Sequence, residues 1–162
     1  MTIIASNPYP DDETRTKDIS KIIEEFIESE WDITGISITD VAFGRYGNEL
    51  LQTGKDITLR AYSIFEDVKP MTINGSRSEY LETIIIDIYV LNNEDLSARD
   101  PRATKIRKWL DGLFVMRQGD MPKGIHQVDY RGARPESDPF NPNITRIKVT
   151  VDVRYILDVI EV

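Results

Sequence analysis

The chain has 162 residues, 40% of them hydrophobic, and sets 28 Asp and Glu against 20 Lys and Arg for a formal net charge of −8. That length suits one domain that buries a real core without staples. The absence of cysteine excludes disulfides, thiolate metal centres and cysteine nucleophiles, and the acidic balance argues against a protein that coats nucleic acid.

The charge is unevenly placed. Residues 1–40 hold 10 acids and 3 bases, whereas residues 100–135 hold 4 acids and 8 bases. Ordinary solvated faces would give this distribution; so would complementary edges of neighbouring subunits, because opposed charge fixes register between partners. The opening Met1-Thr2-Ile3-Ile4 lacks the basic stretch and long apolar run of a signal peptide. No apolar run approaches the roughly 20 residues of a membrane span, so a soluble protein without a cleaved leader is expected.

Residues 1–15 are polar, contain Pro8 and Pro10, and read as a flexible N-terminal arm on a single domain of residues 16–162. From Asp18, the residues Ile19, Ile22, Ile23, Phe26 and Ile27 fall on one helical stripe, with Glu24, Glu25 and Glu28 expected on the other face. Ile36 to Phe43 reads as a strand closed by Gly44, and Ile57 to Phe65 alternates as another. Asn74-Gly75 is the preferred pair for a two-residue hairpin turn. It would join a short strand near Met71–Ile73 to a long one ending at Leu91. Both faces of that long strand are apolar, which suggests cover on two sides.

Asp100-Pro101 supplies an N-cap and a first-turn proline for a second helix. Ile106, Trp109, Leu110, Leu113 and Phe114 form its stripe. Ile125 to Arg131 is a candidate strand, and Gly132 to Asn143, with three prolines, is expected to be an extended loop. The clearest strand is the last. Ile147, Val149, Val151, Val153 and Tyr155 point one way and Arg146, Lys148, Thr150, Asp152 and Arg154 the other, which specifies the register strongly. The apolar residues after Tyr155 can extend the chain's own sheet or a neighbour's. The fold class expected is α+β, a single antiparallel β-sheet flanked by two main α-helices.

Chemistry-bearing motifs are sparse. His126 is the only histidine and without a second nitrogen or sulfur ligand cannot make a typical zinc site. Asp87, Asp129 and Asp152 sit on strands and could converge, but their ordinary reading is ion pairing with Arg146, Arg154 or a helix lysine. Pro10-Asp11 with Asp67-Val68-Lys69 matches only the letters of a restriction-type nuclease. Phosphate-binding glycine loops and a nucleophile elbow are missing from the sequence. The aromatic residues read as core stripes, not as a stacking platform among basic residues. Neither an enzyme nor a cofactor is expected.

The segments Ile84–Val90, Arg102–Leu113 and Arg146–Tyr155, in this order of elements, resemble the small tail-terminator and tail-completion proteins of long-tailed bacteriophages and related viruses. The resemblance spans most of the chain from Ile19 onward. It implies a structural virion protein, assembled in the host cytoplasm, that forms a homo-oligomeric ring, six-membered in that family, at the head-proximal end of the tail tube. Its partners would be the tail-tube protein and a neck or head-completion protein, with DNA passing through the channel without specific binding and no membrane involved. The expected subunit interface takes Arg102, Lys105, Lys108, Arg131, Arg134 and Ile160. Two other readings stay open: another neck component, such as a head-completion or head–tail adaptor protein, and a small α+β enzyme or ligand-binding domain.

Overall fold

The structure, a computed structural model, describes residues 3–6, 17–46, 53–73, 77–92, 100–122, 124–137 and 143–161, with backbone alone at 3–6, 137 and 158–161. In chain order the elements are β1 (Ile3–Ser6), α1 (Ile19–Glu30), β2 (Val41–Phe43), β3 (Ile57–Pro70), β4 (Arg77–Leu91), α2 (Pro101–Met116), β5 (Ile125–Ser137) and β6 (Ile144–Glu161). Short 3-10 turns occupy Ile38–Asp40 and Gln118–Asp120.

β6 is the spine of a six-stranded sheet whose main order is β1-β6-β4-β3-β2. One edge of β6 pairs with all of β4, from Arg77↔Asp158 to Leu91↔Ile144. Its other edge carries β5 over Thr145–Tyr155 and then β1 over Asp158–Glu161. Ile3–Ser6, inside the segment read as an arm, thus pairs with the apolar tail after Tyr155.

Register decides which side chains share a face. Ile84, Ile86 and Ile88 stand opposite Val151, Val149 and Ile147, and Ala61, Leu59 and Ile57 continue the row opposite Ile86, Ile88 and Val90. All of these are buried in one core with the stripe of α1 and with Ala103, Ile106, Leu110, Leu113 and Phe114 of α2. α1 packs on β3, and α2 on β4, β5 and β6. Both helices therefore cover the same face, so the two-sided cover expected for β4 is not what its second apolar row signifies. Ile85 is buried but stands outside the helix-covered core.

α2 starts as its sequence predicts, with the Asp100 carboxylate accepting from the Arg102 N–H at 3.0 Å and Pro101 in the first turn. Three aromatic rings then join the helices to the sheet edge. Trp31 packs edge-on against Phe43 at 5.8 Å and against Trp109 at 5.2 Å. Their indole N–H groups donate to the Ile36 carbonyl and to Asp32, which lets the polar ends of large rings sit in a mostly apolar seam.

Several expectations need correction. The sheet is mixed, because β2 runs parallel to β3; residues 44–56 give about the dozen residues that a parallel return requires. Ile36–Phe43 is a strand only from Val41, because Ile38–Asp40 turns as a 3-10 segment. β3 continues beyond Phe65 to Pro70 with a bulge between Ser63 and Phe65, and Met71–Ile73, expected as a short strand of its own, lies past its end and is not a strand. The Asn74-Gly75 turn lies outside the described residues. β5 runs through Pro135 to Ser137 instead of ending at Arg131. Pro135 is tolerated because β5 lies at the sheet edge, and Gly132, at φ +138°, takes up the register shift after Tyr130.

Glu24, expected on the solvent side of α1, is only 3% exposed. β2 ends at Phe43, so the outward N–H of Ala61 on β3 has no strand partner, and the Glu24 carboxylate accepts from it at 3.1 Å. Lys21 pairs with the other oxygen at 3.2 Å. A β-carbon at Gly44, where φ is +74°, would lie 2.9 Å from that oxygen. Removing the acceptor leaves a buried donor unpaired, a cost of about 1–3 kcal/mol. Glu24→Ala is expected to lose that much in urea unfolding and Glu24→Gln clearly less; equal losses would contradict the Ala61 assignment.

Candidate functional site

The face of the sheet away from the helices is polar and cross-linked. Arg146 forms a two-pronged pair with Asp87, Nε to Oδ1 at 3.0 Å and Nη2 to Oδ2 at 2.9 Å, and a third contact with Glu136 at 3.2 Å. The hydrogen bonds that Arg146 donates to Asp87 hold the guanidinium's proton still more tightly than is usual for arginine. Arg131 pairs with Asp152, which also accepts from Thr83. Arg154 and His126 both reach Glu79. Of the three strand carboxylates, Asp129 stands directly opposite Asp152 across β5 and β6, while Asp87 lies apart opposite Lys148; Asp87 and Asp152 are taken by arginines, and Asp129 accepts from Gln127. Among the described residues no group of three or more His, Asp or Glu side chains gathers as a metal site requires.

One concave site interrupts this face. Arg45, Tyr46, Arg60, Tyr62, Asp87, Tyr89 and Arg146 line a cavity of about 330 Å³. Arg60 and Tyr62 come from β3, Asp87 and Tyr89 from β4, and Arg146 from β6, all on the face that β-pairing aligns through Arg60↔Asp87 and Tyr89↔Arg146. Arg45 and Tyr46 follow β2. The guanidinium of Arg60 lies 3.9 Å from the centre of the Tyr46 ring and 5.3 Å from that of Tyr62, and Arg146 lies 4.8 Å from Tyr89. Sequence alternation puts Arg60 with Tyr62 and Asp87 with Tyr89 on single faces; only the register between strands brings the pairs together. The reading of the aromatic residues as core stripes, with none stacked among basic residues, is thereby corrected for Tyr46, Tyr62 and Tyr89.

The six residues named as a subunit interface do not form one surface. Arg102, Lys105 and Lys108 do gather, with Gly35, Ile36 and Thr104, around a hollow of about 310 Å³ on the helix side. Arg131 and Arg134 lie on β5 and share the opposite, open face of the sheet with Asp152 and Lys148. Ile160 lies in β6 opposite Ile4, and its backbone edge is occupied by the chain's own β1.

Arg102 is committed inside the subunit. It binds Asp100 at 2.9 Å, Asp56 at 3.2 Å and the Leu91 carbonyl at 2.8 Å, tying the start of β3, the end of β4 and the cap of α2 together. The Asp100 N–H in turn donates to Thr145 at the start of β6. Lys105 donates to the Thr34 carbonyl at 2.8 Å.

A second exposed feature was not legible as a site. From Ser63 to Ile73 every residue is exposed, and this arm carries Ile64 and Phe65, each 57% exposed, with Val68, Met71 and Ile73. At its base Glu82 is buried, accepts from the Tyr155 hydroxyl at 3.3 Å, and stands opposite Glu66. Burial, and then the Glu66 charge, push the Glu82 carboxyl above its usual range, against the Ser63 and Tyr155 hydrogen bonds.

No family model matches the chain, and no curated protein matches its sequence. No helix among the described residues is long and apolar enough to cross a membrane.

Two outcomes follow from this geometry. Arg102→Ala removes charge-assisted hydrogen bonds worth about 1.5–3 kcal/mol and is expected to lower unfolding free energy by that order, whereas Lys108→Ala stays within about 0.5 kcal/mol; equal effects in urea melts would contradict the clamp. Because the folded state holds the Glu82 proton more tightly than the unfolded chain, stability from this group is lost as pH rises from 4.5 through the raised value. Glu82→Gln is therefore expected to raise Tm at pH 8, with the gain shrinking towards pH 4.5. A pH-independent difference would contradict the assignment.

Proposed function

We propose that the chain is a structural virion subunit that assembles into a ring at the head-proximal end of a tail tube, ending tail polymerisation and joining tail to head. The observation that carries this reading is the arm. Ile64, Phe65, Val68, Met71 and Ile73 place five large apolar side chains in one short exposed stretch. Grouped exposure of that kind marks an interaction surface, not scattered surface hydrophobes.

A closed ring uses heterologous contacts, in which one surface of a subunit meets a different surface of the next. The arm and the basic hollow of α2 are two such different surfaces. The arm also bears Glu66 and Asp67, opposite in sign to Lys105 and Lys108, so the contact would have a preferred register. On this reading the ring's rims meet the tail-tube protein and a neck or head-completion protein, and DNA passes without specific binding.

Native mass spectrometry tests the reading. The wild-type chain is expected to form a closed oligomer, six-membered by the resemblance, and Phe65→Ser combined with Val68→Ser to shift it to monomer with an unchanged circular dichroism spectrum. A strict monomer, even with tail-tube protein added, would contradict it.

A further inference from the structure

We infer that the cavity between Arg60, Tyr62 and Arg146 is an oxyanion-binding site, anchored by Arg60, for a compact phosphorylated or carboxylated small molecule. The inference stands apart from the ring reading.

The charge balance of the cavity is the first reason. Three arginines and one carboxylate line it; Arg146 is offset by Asp87 and by Glu136 at 3.2 Å and Arg45 has an interaction of its own, so the charge that faces the cavity is that of Arg60. Both oxygens of that carboxylate, Asp87, are already taken by Arg146. Arg60 has no carboxylate partner among the described residues; its polar contact is a 3.4 Å hydrogen bond to the Tyr46 hydroxyl. A guanidinium that is never neutral thus faces a cavity uncompensated.

Orientation is the second reason. The Arg60 guanidinium carbon lies 3.9 Å from the centre of the Tyr46 ring and 5.3 Å from that of Tyr62. One Nη2 N–H is engaged by the Tyr46 hydroxyl, and the other guanidinium N–H groups have no hydrogen-bond partner among the described residues. A guanidinium edge matches the two-oxygen geometry of carboxylates and phosphates, which a lysine ammonium does not. Tyr62 and Arg60 stand on a strand paired along its length, so the anchor is held before any ligand arrives.

Size and field define the ligand class. A cavity of about 330 Å³ sits at the lower end of the range for small-molecule sites, roughly 300–1,000 Å³. A polynucleotide would meet the acidic remainder of the chain along its length, whereas a compact anion meets only the local positive field. The observations therefore favour a small ligand over a nucleic acid.

Isothermal titration of the full chain at low ionic strength, with inorganic phosphate and with AMP as probes, tests this. Saturable one-to-one binding is expected for both, with Kd on the order of 1 mM. Arg60→Gln is expected to weaken it roughly tenfold or more, and Arg60→Lys to recover only part, because charge without the planar fork is restored. Lys108→Gln, on the helix side, is expected to bind as wild type. No saturable binding of either probe up to about 20 mM, or a folded Arg60→Gln that binds like wild type, would overturn the site. Should Arg60→Gln fail to fold, NMR amide shifts of the wild-type chain under phosphate decide. Shifts centred on Arg60, Tyr62, Tyr89 and Arg146 support the site, and shifts centred elsewhere overturn it.

Discussion

Along β4, Ile84, Ile86, Ile88 and Val90 point to one side, and the antiparallel pairing with β6 sets the first three against Val151, Val149 and Ile147. These side chains are almost completely removed from water. Both helices lie on the surface they make, and slipping the pairing by one residue would turn every one of them to the other face. The same pairing fixes the position of Arg146 against Tyr89 and of Lys148 against Asp87. Core and open face therefore depend on one register.

Placing both helices on one side leaves the second side to polar chemistry. The ion pairs there link neighbouring strands and are partly solvated, so each contributes little net stability; what they fix is geometry. Asp87 shows the consequence. By engaging Arg146 with both oxygens it leaves Arg60, its neighbour across β3, to be held by tyrosine rings. The arm departs from the core for a related reason. Past Ser63 neither helix supplies a cover, and the apolar residues there remain in water unless a partner takes them.

The elements whose signal is periodic were legible in the sequence. The stripes of α1 and α2, the cap at Asp100 and the alternation of β6 each depend on a short window, and the structure has them where the pattern puts them. Non-local features were hidden. The parallel pairing of β2 follows from where the chain returns after residue 56. The continuation of β5 through Pro135 follows from its place at the sheet edge, which no local window reveals. Glu24 reads as a surface residue until the end of β2 exposes the Ala61 N–H that it satisfies. The Arg and Tyr cavity has the same origin, since its parts come from β3, β4, β6 and the segment after β2. Arg102 was singled out for its charge, and the charge proved to be occupied within the subunit.

The central claim joins a fold held by one face of the sheet to the proposal that a neighbouring subunit covers the arm. Hydrogen–deuterium exchange at low and high protein concentration tests it most directly. The account predicts slow exchange over Ile84–Val90 and Ile147–Val153 at both concentrations. It predicts that the Ile64–Pro70 amides pointing away from β4 exchange fast in dilute protein and slow markedly in concentrated protein as the arm is covered. Outward arm amides as slow as the core in dilute protein, or unchanged by concentration, would contradict it.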